Sequence, residues 1–473
     1  MTHYERLSAL DALFLEIEDE SSHMHVAATL IFDGAPLRAA HGGLDMERIR
    51  AYFESRLHLI PRYRQRLAYI PLEEHPVWVD DARFNLFYHL RHTALPRPGE
   101  ERQLKRLCGR ILSQKLDPTK PLWEIWVVEG LADDRIALVA KVHHAMVDGI
   151  AGMDLLQVVL TAEPQASFEP GRRWRPRRAP SAAALLAGEI GRRGAGAAAL
   201  AHSVLEAVKE PQRTLASAWD VARGVMEYLT PGTWPASPTA LNPELGPHRR
   251  FDWLRMELAD VKRVKAALGG TVNDVALATV TGAVRRFLTA RGQRVDGLDF
   301  RVMVPVNTRE QGERRRTGNR IANFVIRMPI GERDPRRRYR QVLEATAEQK
   351  GSHVVQGGAL LEELADWTVT GFLTQVIRLA GQRRAWNLVV TNVPGPQLPL
   401  FLLEAPLREA YPMVPLFKQQ GLGIALFSYA GGVYWGINAD WDALPDLHDL
   451  IEALRVEFAT LLGVAGNGAR SAR

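Results

Sequence analysis

The chain has 473 residues, more than one hydrophobic core usually holds, so two domains are expected. Its 46% apolar and 24% charged residues match a soluble globular protein and argue against a membrane-spanning or disordered one. The net charge of +6 is carried mostly by arginine without a helix-turn-helix, zinc-finger or RNA-binding signature, so the expected partner is an anionic small molecule or membrane surface and not nucleic acid.

Residues 1–6 lack an apolar signal core, and no run reaches the ~18 apolar residues of a membrane span. The expected location is therefore cytoplasmic, soluble or peripheral to a membrane. Residues 24–32 read as a strand and 46–57 as a helix with Asp45 as N-cap. The helical pattern at 101–116 contains Cys108, the only cysteine, which excludes an internal disulfide and a thiolate metal cluster. Strands at 123–129 and 135–142 are joined by Gly130-Leu131-Ala132-Asp133-Asp134, a hairpin signal. Composition shifts near residue 166: 171–178 is basic and proline-interrupted, and reads as a linker. Residues 181–228 are alanine-rich with helical spacing, fitting either a helical bridge or a membrane-surface helix. Beyond residue 250, helices are expected at 271–288, 335–350, 360–379 and 444–462. Strands are expected at 300–305, 323–328, 386–391, 423–429 and 433–439. The fold class is α/β, with domains at 1–165 and 250–473 bridged by a basic, helical linker at 166–249.

The most informative segment is His143-His144-Ala145-Met146-Val147-Asp148-Gly149, which follows the apolar run 136–142. Neighbouring residues on a strand face opposite sides, so one imidazole faces a cleft while the other faces packed protein. This describes one general base and no metal pair. A zincin needs histidines one helical turn apart, and a serine hydrolase needs a nucleophile elbow; neither is present. Cys108 is far from any turn. The base therefore has no covalent nucleophile to serve, and deprotonates a substrate hydroxyl, amine or thiol directly. Asp148 either orients an imidazole or pairs with an arginine to pin the turn, with Gly149 making the tight bend.

The segment matches the His-His-x-x-x-Asp-Gly motif of the superfamily that includes chloramphenicol acetyltransferase, carnitine acyltransferases and peptide-synthetase condensation domains. Further blocks narrow the likeness: 7–15, Pro121-Leu122-Trp123-Glu124, Asn273-Asp274-Val275, Pro305-Val306-Asn307-Thr308-Arg309, Gly318-Asn319 and Asn392-Val393-Pro394-Gly395-Pro396. In this order they resemble the bacterial wax ester synthase/acyl-CoA:diacylglycerol acyltransferase family. The resemblance implies two chloramphenicol-acetyltransferase-like domains, each a mixed sheet flanked by helices, with a tunnel between them. It implies transfer of a long-chain acyl group from acyl-CoA, a substrate and not a cofactor, to diacylglycerol or a fatty alcohol. No cofactor and no metal is expected. A membrane or lipid-droplet surface is an implied partner.

The same resemblance makes His144 the base and His143 its support. Asn273, in the first turn of its helix, is either an oxyanion donor or part of a capping box of Thr271 and Asp274. Thr391 and Asn392 either support the oxyanion or form a structural turn. Pro121, Leu122 and Trp123 are expected to pack along the tunnel wall. Arginines at 314–316, 336–338 and 383–384 are candidate partners for CoA phosphates. Two other readings are a condensation-type enzyme using a carrier-bound acyl group, and a lipid-binding protein without turnover.

Overall fold

A computed structural model describes residues 4–40, 42–146, 158–194, 235–307, 321–350 and 384–471. Two six-stranded sheets and one three-stranded sheet, the latter made of β1 (Glu5–Arg6), β3 (Gln65–Tyr69) and β4 (Pro76–Asp80), organise the described chain. The first large sheet contains β2 (His25–Asp33), β5 (Leu90–Ala94), β6 (Trp123–Leu131) and β7 (Arg135–His143). β6 and β7 form the expected hairpin, and β2 pairs antiparallel with β7 from Asp33↔Arg135 to His25↔His143. Helix Met46–Arg56 is capped as expected, Asp45 accepting the amide of Arg48 at 2.9 Å.

The second large sheet holds β8 (Arg249–Glu257), β9 (Phe300–Asn307), β10 (Ile321–Met328), β11 (Leu388–Pro394), β14 (Leu422–Tyr429) and β15 (Gly432–Asp440). Helices Val272–Ala290, Pro335–Lys350 and Leu447–Ser471 pack with it around a second core that includes Val284, Val342 and Leu454. Each large sheet is mixed: β5 runs parallel to β6, and β11 runs parallel to β9 and β14. The helix expected at 360–379 lies outside the described residues.

Three departures from the sequence reading have physical causes. Helix Glu101–Leu112 ends four residues early, because the buried Lys141 ammonium takes the carbonyls of Ile111 and Gln114 at 3.1 and 2.8 Å. β12 (Phe401–Leu402) and β13 (Ala405–Met413), from the second half of the chain, join the first half's sheet beside β2. Pro406, Arg408 and Pro412 mask the strand pattern there; β12 pairs only with Ala405 and Pro406, so the rest of β13 has a strand on one side alone, a position that tolerates proline. The basic stretch 171–178 is docked: Trp174 Nε1 donates to Asp81 O at 3.1 Å, and Arg177 grips Asp80 through backbone and guanidinium. A helix at 182–194 follows, with Leu185 packed on Ile70, Val77 and Val79 of the three-stranded sheet.

Candidate active site

β7 ends at His143, and a single helical turn, His144–Met146, begins at the second histidine. Strand alternation sets the rest. Lys141 and His143, two residues apart, share one face of the sheet. His143 is buried, and its backbone amide donates to Leu122 O at 2.9 Å. Its Nδ1 accepts the amide of Ala145 at 3.0 Å. A ring nitrogen that accepts carries no proton, so His143 is neutral with its proton on Nε2. That Nε2 points toward Glu18 Oε1, 3.6 Å away.

His144 is held differently. Its amide donates to Met24 O at 2.7 Å, and its ring stacks on Phe14 with centroids 3.8 Å apart and planes 24° apart. Phe14 lies on helix Ala9–Ile17, where Ser8 accepts the amide of Asp11. The opening block 7–15 thus holds the cap and most of a helix that backs the histidine turn. Burial, with His143 adjacent, pushes the His144 pKa down from its ordinary value to about 4. The imidazole is accordingly neutral and able to accept a proton at pH 7.

Cross-strand pairing also brings His25 beside His143, with ring centroids 5.9 Å apart. His25 Nε2 lies 3.4 Å from Glu18 Oε1 and 3.4 Å from the amide of Leu116. Glu18, His25 and Phe14 have no signal in the linear sequence; only the β2–β7 register and the path of the first helix reveal them. Among the described residues, no group of three His, Cys, Asp or Glu side chains is arranged to hold a metal ion. Cys108 is buried against Thr29 Oγ1 at 3.3 Å, and burial pushes its thiol up to about 12. It is therefore no nucleophile.

Asp148 and Gly149 lie outside the described residues. Pro121, Leu122 and Trp123 are all buried, packed at the start of β6 beside the end of β7. Trp123 Nε1 donates to Tyr63 O at 2.8 Å and its ring stacks on His89. Asn273 is half-buried in the first turn of helix Val272–Ala290, and the Thr271–Asp274 capping box is fully formed. That helix packs on Pro335–Lys350 and Leu447–Ser471, and among the described residues no hydrogen bond joins Asn273 to the histidine turn. Thr391 and Asn392 are half-buried on β11, opposite Ala425 and Leu426 of β14. Arg338 is unsuited to phosphate, being buried in an ion pair with Glu457; Arg336 and Arg337 are exposed. Arg384 is half-buried with a guanidinium bond to Ala236 O, while 314–316 and Arg383 lie outside the described residues.

Residues 7–276 match the model of the wax ester synthase/diacylglycerol acyltransferase catalytic domain, and 317–462 match the C-terminal domain of the same family. A putative diacylglycerol O-acyltransferase of Mycobacterium tuberculosis is 34% identical, covering 97% of this chain and 90% of that protein. A probable diacylglycerol O-acyltransferase of the same organism is 32% identical over 97% and 96%. The wax ester synthase/diacylglycerol acyltransferase of Marinobacter aquaeolei VT8 shares 26% identity and a TM-score of 0.67, covering 98% of this chain and all of that one. The first condensation domain of the calcium-dependent antibiotic synthetase, at 16% identity and TM-score 0.60 over 98% and 96%, shares the fold. The chain belongs to the wax ester synthase/diacylglycerol acyltransferase family.

Proposed function

We propose that this acyltransferase moves a long-chain acyl group from acyl-CoA to the hydroxyl of diacylglycerol, a long-chain alcohol, or both, with His144 as general base. The observation that carries the assignment is the neutral, half-buried His144 imidazole, fixed by Phe14 and Met24 at the end of β7. The base removes the hydroxyl proton as the oxygen attacks the thioester carbonyl. A carbon–oxygen bond forms, and a tetrahedral oxyanion results. Collapse breaks the carbon–sulfur bond, and the imidazolium returns its proton to the departing CoA thiolate. Holding both substrates together removes much of the entropic barrier.

In this reading Asp148 supports the base, and Asn273 is the first candidate to donate to the oxyanion, since free amides and the helix dipole favour negative charge there. The hydroxyl of Thr391 and the amide of Asn392 are secondary candidates. Apolar substrates make docking at the inner membrane face or a lipid droplet part of the proposal. No described helix is long and apolar enough to cross a bilayer.

The test is thiol release from palmitoyl-CoA by purified protein, with dioleoylglycerol or hexadecanol as acceptor. His144→Ala is expected to lower kcat at least about 100-fold, the usual contribution of a positioned base. Full activity in that variant, or no release with either acceptor, would sink the assignment.

A further inference from the structure

Glu18 follows directly on helix Ala9–Ile17, the helix that carries Phe14. Its side chain is 11% exposed, and one oxygen, Oε1, reaches three groups. The Met24 amide donates to it at 3.2 Å, and the Nε2 atoms of His143 and His25 lie at 3.6 and 3.4 Å. Lys115 Nζ stands 3.7 Å from the other oxygen. Burial alone would raise the Glu18 pKa, but the His143 and His25 rings beside it hold it far below the carboxylate range.

These contacts form two paths that converge on His144. On one, the Glu18 carboxylate lies 3.6 Å from Nε2 of His143, whose Nδ1 accepts the Ala145 amide just beyond His144. On the other, Glu18 takes the Met24 amide, and the Met24 carbonyl takes the His144 amide at 2.7 Å. The carboxylate therefore ties the turn on both flanks of the reacting imidazole without reaching the cleft itself. We propose that Glu18 is a positioning residue for acyl transfer, acting through the His143 tautomer and Met24 to hold the turn that presents His144. The proposal rests on the assignment of His144 as base.

Its physical content is the tautomer. With a carboxylate 3.6 Å from Nε2, the negative charge favours the His143 proton on that nitrogen, and Nδ1 remains free to accept from Ala145. Without that carboxylate a proton on Nδ1 becomes competitive, and two N–H groups then oppose each other across the turn. The turn relaxes, and His144 leaves the geometry in which it meets the acceptor hydroxyl.

The experiment compares full-length Glu18→Gln, Glu18→Ala, Glu18→Asp and His144→Ala in thiol release from palmitoyl-CoA. Expected for Gln and Ala is a fall in kcat of about 10- to 100-fold, as for a displaced catalytic group, with KM for palmitoyl-CoA unchanged. Glu18→Asp, which keeps the charge, should recover most of the loss. An active His144→Ala removes the base assignment itself, and the positioning role with it. An inactive His144→Ala beside wild-type kcat in Glu18→Ala overturns only the role of Glu18. So does an equal kcat loss in all three Glu18 variants that follows a fall in Tm. Should the variants not fold, long-range proton–nitrogen correlation on wild-type protein with labelled histidine decides: His143 protonated on Nε2 supports the proposal, and on Nδ1 overturns it.

Discussion

At the residue scale the site is governed by desolvated histidines. Burial pushes His25 down to about 3, and His89 and His144 down to about 4. In the unfolded chain each titrates near the usual 6.5, so between about pH 6.5 and 4 the unfolded state binds more protons than the folded one. Stability must then fall as pH is lowered through that window. Thermal melts should show a lower Tm at pH 5 than at pH 7. Activity should behave differently. A base held near 4 stays neutral at pH 5, so kcat/KM of the surviving folded enzyme should remain flat from pH 7 to 5 and drop only through about 4. An acid limb centred on the ordinary histidine value would contradict the burial of His144. The histidine pair at a strand end and the Asp45 and Thr271 caps were legible in the sequence, because each is a short-range pattern. Glu18, His25 and Phe14 were not, since they reach the turn through cross-strand register and a helix 130 residues earlier.

At the scale of elements, the stretch 171–178 shows how composition misleads. Its arginines and prolines read as a free linker, yet the Arg64 guanidinium lies 4.1 Å from the centroid of the Trp174 ring, and Arg177 makes three bonds to Asp80. Against the pull of burial, those bonds bring Asp80 down to about 2. Proline removes donors and periodicity, but it does not prevent side chains from anchoring a strap. Asp80→Ala should release it. Since half of the Arg177 side chain faces solvent, the anchor is worth about 1 kcal/mol, and tryptic cleavage within 172–178 should speed up about fivefold. Unchanged cleavage would mean that Trp174 alone holds the strap.

At the scale of the whole molecule, the two halves are joined through β13. It pairs with β2 of the first sheet, while Tyr411 stacks on Trp253 of β8 at 4.9 Å. Lys105, on the helix covering the first sheet, pairs with Asp252 of β8 at 2.6 Å. Gly436 on β15 makes the closest approach: a Cβ there would sit 1.7 Å from Pro412 O, a backbone atom that cannot swing aside. Gly436→Ala is therefore expected to destabilise the protein by at least about 1–3 kcal/mol, the usual range for overpacking. Urea denaturation would measure it, and separate transitions for the two halves would show that the contact couples them. An unchanged midpoint would rule out this contact as a coupling point.

By itself the sequence determined the α/β class, most elements with strong periodicity, the family and the paired histidines at a strand end. Those features depend on residues within one helical turn or one strand of each other, where side-chain spacing carries the signal. Tertiary structure alone decided that a strand from the second half completes the first sheet. It decided that Trp123 is buried against Tyr63 and His89, and that Glu18 stands beside His143. Such pairings join residues hundreds of positions apart, or turn on which face of a buried strand is covered, and local spacing carries no information about either.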